Sequence, residues 1–154
     1  MITWAQVEQD FELDGSLRDI YVRSATIKDW RAVYNLLKRN TTLGFCLDGD
    51  VAALPEDVTE VFAMRPLRSP MLRVDLGCVT VVIHFFTDEE IECDIDPRDV
   101  KSQVELDAVL EFLKEIGDCV AKPVLLTLEN CREYEILRYD PCFHEFQHAA
   151  QRNG

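Results

Sequence analysis

The sequence has no long apolar run, and this absence argues against a membrane-spanning helix, which needs about 18 or more apolar residues. The densest apolar run, CVTVVIHFF at residues 78–86, is too short and is interrupted by Thr80 and His84. The opening residues, MITWAQVEQDF, also lack the basic region and apolar run of a signal peptide. We therefore expect a cytoplasmic protein that does not bind membranes.

Closely spaced cysteines are also lacking, since the six cysteines include no C-x-x-C pair. A tetrathiolate zinc site is built from such pairs, so this kind of site is not predicted. Disulfides form in oxidising compartments, and no secretory signal points to one. We interpret the cysteines as reduced thiols that act as small apolar side chains. They are Cys46, Cys78, Cys93, Cys119, Cys131 and Cys142.

Glycine and proline are few, with six of each, and no low-complexity segment divides the chain. A length of 154 residues suits one hydrophobic core. We predict a single α+β domain over residues 1–154. Terminal segments are often poorly ordered, so residues 143–154 are expected to form a mobile C-terminal tail.

Apolar periodicity predicts helices in several parts of the chain. Apolar residues recur at helical spacing over residues 27–37 and 104–116, and a capping pattern precedes each stretch. Gly117 follows the second stretch and predicts the end of that helix. Shorter helices are indicated near the N-terminus and in LPEDVTEVFAM, residues 54–64.

Strand patterns follow one another without intervening helices at residues 72–76, 78–86 and 91–95, which predicts an antiparallel meander. Further strands are indicated at residues 17–23 and 124–129, with weaker patterns at 43–47 and 134–139. Together these patterns predict an α+β fold. We expect a largely antiparallel or mixed sheet of about five to six strands, with helices packed mainly on one face.

Basic side chains are scarce after residue 40. Residues 1–40 have six acidic and six basic side chains, whereas residues 41–154 have 23 acidic and 10 basic ones, and the net charge is −13. Such a charge repels nucleic-acid phosphates and anionic lipids and attracts cationic partners. We therefore expect no nucleic-acid partner and favour a basic protein partner. The composition does not fix an oligomeric state.

The segment TDEEIECDIDPRD, residues 87–99, concentrates this charge, with seven acidic side chains and one arginine. If residues 91–95 form a strand, alternate carboxylates point to one face. They could recognise basic side chains or a hard cation, although the segment lacks the glycine and final glutamate of a calcium loop. A solvated face that prevents edge-to-edge aggregation is the alternative. The predicted binding residues are Glu90, Glu92, Asp94 and Asp96.

The segment HEFQH, residues 144–148, matches the H-E-x-x-H pattern of zinc hydrolases. On a helix, His144 and His148 would lie one turn apart as zinc ligands, with Glu145 as the base that activates a water. A catalytic zinc usually needs a third protein ligand, and the six residues after His148 supply none. We favour a helix that packs or lies on the surface.

Other catalytic signatures are missing, because the sequence contains no G-x-S-x-G, GxxxxGK[ST] or GxGxxG pattern. We therefore predict a small acidic binding protein, without enzymatic activity or a cofactor, that engages a basic protein. Toxin-neutralising proteins have this general character, although the likeness is one of composition alone. The alternative function is a zinc-dependent hydrolase that uses the HEFQH segment.

Overall fold

A single antiparallel sheet organises the fold of this computed structural model, which describes residues 1–40 and 42–152. Within those residues the sheet has nine strands. They are β1 (Arg18–Val22), β2 (Thr42–Leu47), β3 (Asp50–Val51), β4 (Pro70–Asp75), β5 (Thr80–His84), β6 (Ile91–Ile95), β7 (Val124–Leu128), β8 (Cys131–Asp140) and β9 (Glu145–His148).

The strands lie in the order β3-β2-β4-β5-β6-β1-β7-β8-β9, and each neighbouring pair is antiparallel. The α+β class and the antiparallel sheet are thus confirmed, whereas the prediction of five to six strands was too low. One addition is β3, which follows a turn at Asp48 and Gly49 and pairs through only two residues. Another is β9, which lies in the segment predicted to be a C-terminal tail and pairs with β8.

The helices separate some of these strands and follow the predicted periodicity. Thr26 and Asp29 cap the second helix reciprocally, because each side chain accepts a hydrogen bond from the other residue's backbone N–H, at 3.0 and 3.2 Å. None of the described helices is both long and apolar enough to cross a membrane. The helices are α1 (Trp4–Val7), α2 (Ile27–Asn40), α3 (Val58–Met64), α4 (Gln103–Val120) and α5 (Ala149–Arg152).

The hydrophobic core lies between one face of the sheet and the helices α1 to α4. Alternate side chains of the central strands enter it, including Ile20 and Val22 of β1 and Cys93 of β6. Trp30 of α2 and Phe112 of α4 meet them from the helical layer. The residues between them on these strands point to the opposite face of the sheet, outside this core.

Helix α4 continues past Gly117 to Val120, so the predicted end at Gly117 was wrong. Ala121 ends the helix instead, in a left-handed conformation with a φ of 55°. Gly117 serves close packing, because a Cβ there would lie 2.6 Å from Cδ1 of Tyr139 and 3.2 Å from Cγ2 of Val124. Because Gly117 has no side chain, α4 approaches β7 and β8 closely.

Candidate binding site on the sheet face opposite the helical core

The antiparallel register gathers five polar residues on the face of the sheet opposite the helical core. Tyr21 of β1 pairs with Glu92 of β6, which pairs in turn with His84 of β5. Two residues along each strand, and therefore on the same face, Asp19 pairs with Asp94. We call this group, Asp19, Tyr21, His84, Glu92 and Asp94, the acidic face.

His84 and Asp94 form an ion pair diagonally across β5 and β6, with 2.6 Å between Nε2 and Oδ2. The hydrogen bond to Asp94 raises the pKa of His84 and so favours its protonated form. The imidazole ring also stacks on the exposed ring of Phe86, with the centroids 4.9 Å apart. Asp94 therefore has a hydrogen-bond partner within the protein, and this bond favours the charged form of that partner.

Asp19 is held by neutral donors. The Tyr21 hydroxyl donates to Asp19 Oδ2 at 2.9 Å, and the backbone N–H of Asn130 donates to the same oxygen at 2.8 Å. Burial and this interaction with Asp19 raise the pKa of Tyr21, which keeps the hydroxyl protonated as a donor. Asp19 is only 5% exposed and Tyr21 only 1%. Asp19 and Tyr21 are therefore buried and hydrogen-bonded to each other.

Glu92 lies between these two paired groups and differs from both. It has no hydrogen-bond or ion-pair partner among the described residues. Burial raises the pKa of Glu92, and the nearby carboxylates of Asp19 and Glu90 raise it further. Arg132 and His84 oppose this effect only through longer-range attraction. The fold therefore places Glu92 where its ionised form is disfavoured.

Glu90 borders the acidic face and is paired with Arg132. Guanidinium nitrogens of Arg132 lie 2.7 and 2.9 Å from the two carboxylate oxygens of Glu90. The same guanidinium lies over the ring of Tyr21, 4.9 Å from its centre. Arg132 thus covers the buried tyrosine ring and links the β7–β8 hairpin to the acidic face.

Asp96 is engaged in a different way from the other predicted carboxylates. It lies after β6, where its side chain accepts from the backbone N–H of Arg98 at 2.9 Å and begins a 3-10 turn over Pro97–Asp99. The guanidinium of Arg98 also pairs with it, at 2.7 Å. Local hydrogen bonds and this arginine lower the pKa of Asp96. The carboxylate of Asp96 is therefore already bonded to the backbone and side chain of Arg98.

Comparison with protein-family models, with curated proteins and with solved structures gives no match for this chain. Two of the four predicted residues, Glu92 and Asp94, lie on β6 in the acidic face, and Glu90 and Asp96 flank that strand on either side.

The HEFQH segment forms an edge strand, so the prediction of a helix over residues 144–148 was wrong. His144 has a φ of 52°, and β9 begins immediately after it. His144 Nδ1 lies 3.5 Å from Asp118, whereas His148 Nε2 lies 3.2 Å from Asp10. Because strand residues four apart are separated by about 13 Å along the backbone, the two histidines do not share a helical face.

Packing explains why this segment is extended. Phe146 pairs with Tyr139 of β8 and packs against its ring, with the centroids 4.8 Å apart. His148 is buried next to the N-terminal segment, whereas the His144 side chain is 71% exposed. Among the described residues, no group of three or more His, Cys, Asp or Glu side chains is arranged to hold a metal ion.

Sequence reasoning missed Asp19, Tyr21, His84 and Arg132 as members or neighbours of the site. Alternation along LRDIYVR puts Asp19 and Tyr21 on the same face, opposite Ile20 and Val22. That signal was present, but it does not specify that β1 inserts between β6 and β7. Only this pairing brings residues separated by about 70 positions side by side.

Proposed function

We propose that this protein is an acidic binding module that engages a basic protein partner through the acidic face. Glu92 carries the proposal, because it is a carboxylate without a cationic contact among the described residues and its environment disfavours its charge. A positively charged side chain from a partner would relieve that cost. A charge-assisted hydrogen bond to Glu92 would then contribute to binding.

The charge of the whole molecule supports the same kind of partner. With a net charge of −13, the protein attracts cations over distances longer than a contact. Such attraction accelerates encounter and weakens with ionic strength, because exposed charges are screened beyond about 8–10 Å in ordinary buffers. We therefore propose fast, salt-sensitive association.

The location of the face is suited to docking. The core cluster draws its helical residues from α1 to α4, all on the other side of the sheet. On the side of the sheet opposite the helical core, the partly exposed Glu92 and Asp94 lie beside His84 and the exposed Phe86. A partner would meet a charged centre next to an aromatic ring, a combination typical of interaction surfaces.

The experiment is capture of partners from lysate by the native protein and by the double variant Glu92→Lys, Asp94→Lys. The variant reverses the charge of the two strand carboxylates. We expect it to lose basic partners that the native protein retains at low salt. Quantitative mass spectrometry of the recovered proteins measures the loss.

A second double variant, Glu111→Lys with Glu115→Lys, provides the control. It makes the same change in net charge on α4, on the helical side of the molecule. Thermal melting of all three baits first establishes that each is folded. Recovery of the same partners by both double variants would show that only total charge matters and would contradict the proposed face.

A further inference from the structure

Arg132 occupies a cradle formed by the ring of Tyr21 and the carboxylate of Glu90. The guanidinium carbon lies over the ring, 4.9 Å from its centre, and two guanidinium nitrogens contact the carboxylate at 2.7 and 2.9 Å. A planar guanidinium suits both interactions, since it stacks on aromatic faces and pairs with carboxylates through two parallel N–H groups. An ammonium group matches this geometry poorly. The shape of the cradle therefore favours a guanidinium group over an ammonium group.

The resident arginine sits on an irregular part of the hairpin. Thr127 of β7 pairs with Glu135, while the next residue, Leu128, pairs with Cys131. Residues 132–134 consequently have no pairing partner on β7 and form an irregular three-residue bulge. The Arg132 side chain is 54% exposed, whereas that of Glu90 is 12% exposed. Rotation of the arginine side chain into solvent would leave the strand pairing intact.

We propose that Arg132 is an exchangeable occupant and that the basic partner docks by placing one of its own arginines in the Tyr21–Glu90 cradle. This inference rests on the proposed function and specifies the partner's contact as an arginine rather than a lysine. Exchange of one guanidinium for another keeps Glu90 paired and Tyr21 covered once docking is complete.

The cradle itself is tested without a partner. In the Arg132→Ala variant the cradle is empty, and we titrate it by NMR with ethylguanidinium and with ethylammonium, following the Tyr21 ring resonances. We expect ethylguanidinium to bind about three- to tenfold more tightly than ethylammonium, because it regains stacking and the two-point carboxylate contact. Arg132→Gln serves as a second vacated variant if Arg132→Ala does not fold.

Arg98→Ala is the matched control for this titration. It removes the same charge from a surface pair with Asp96 and leaves the cradle filled by Arg132. We expect neither small cation to move the Tyr21 resonances preferentially in this control. Equal affinity of the two cations for the vacated variants would overturn the proposed cradle.

Exchange is tested with hexa-arginine and hexa-lysine peptides of equal charge. We expect the native protein to prefer hexa-arginine, and Arg132→Ala to strengthen that preference about three- to tenfold because no resident competes. An equal gain in affinity for both peptides would reflect only the loss of one positive charge. That result would overturn the exchange of Arg132 but would not contradict the proposed function. The Glu92→Lys, Asp94→Lys change tests the proposed function separately. If it alters the affinity of neither peptide while the vacated cradle still prefers ethylguanidinium, the proposed function is contradicted and the cradle is not.

Discussion

The ionised carboxylate of Glu92 is unfavourable for folding, whereas the proposed function uses its charge. Folding gives its neighbours Asp19 and Asp94 donors at hydrogen-bond distance, yet it leaves Glu92 without such a donor among the described residues. Polar groups placed against their own electrostatic preference are often functional, because stability alone would favour their replacement. We therefore take Glu92 as the residue that favours the proposed binding role over an ordinary solvated strand.

Replacement of Glu92 by Gln should stabilise the protein at neutral pH. The folded state raises the pKa of Glu92 above its ordinary value near 4.5, so ionisation costs folding free energy as pH rises through the folded pKa. The variant removes that cost, and we expect a gain of roughly 0.2–1 kcal/mol at pH 7 that disappears below pH 4. Urea unfolding at several pH values measures it, and a loss of stability at pH 7 would contradict this assignment.

The His84–Asp94 pair should stabilise the fold most strongly in mildly acidic solution. The pKa of His84 is raised in the folded state, so its contribution is fully present below the unfolded value near 6.5 and is lost as pH rises through the folded pKa. We expect His84→Gln to cost about 1 kcal/mol at pH 5.5 and less at pH 9. Unfolding free energies at both pH values give the difference. A cost independent of pH would show that the ion pair contributes little.

At the scale of elements, the sequence predicted the long helices well because each has a wide apolar stripe and a capping pattern. It could not distinguish the two uses of glycine, since Gly117 was read as a helix stop and instead permits contact with Tyr139. Similarly, HEFQH has helical ligand spacing, yet tertiary pairing of Phe146 with Tyr139 makes it a strand. In both cases a contact with Tyr139 of β8 decided the local structure.

A pair of substitutions tests the revised end of α4. Gly117→Ala should cost about 1–3 kcal/mol, because the added methyl group would overlap the Tyr139 ring. Ala121→Gly should stabilise by about 0.5–1 kcal/mol, since glycine adopts the positive φ of that position without strain. Chemical denaturation measures both. A neutral Gly117→Ala change would show that the helix ends earlier or packs less closely.

The extended HEFQH segment leads to a prediction about zinc. We expect the melting temperature to be unchanged by chelator and by added zinc, because His144 and His148 pair with different carboxylates, on Asp118 and Asp10. Differential scanning fluorimetry with EDTA and with equimolar zinc measures this. Stoichiometric zinc retained through His144 and His148, in protein purified without metal affinity, would contradict it and revive the hydrolase alternative.

At the scale of the molecule, the sequence predicted the α+β class, the antiparallel sheet and the acidic character of residues 87–99. It did not predict the lateral order of the strands, which inserts β1 between β6 and β7 and thereby assembles the acidic face. Side-chain alternation follows from the backbone geometry of one strand, whereas strand order depends on contacts throughout the core. For that reason the sequence placed Glu92 and Asp94 on one strand face but did not predict their cross-strand neighbours Asp19, Tyr21 and His84.

The most direct test of the central claim is the association rate of the protein with a captured basic partner at low and high ionic strength. The comparison uses the native protein, the face variant Glu92→Lys with Asp94→Lys, and the equally charged α4 variant Glu111→Lys with Glu115→Lys. We predict that association of the native protein slows steeply with salt, that the face variant associates at least tenfold more slowly at low salt, and that the α4 variant remains near the native rate. Equal slowing in the two variants would mean that net charge alone drives association and would contradict a docking site on the acidic face.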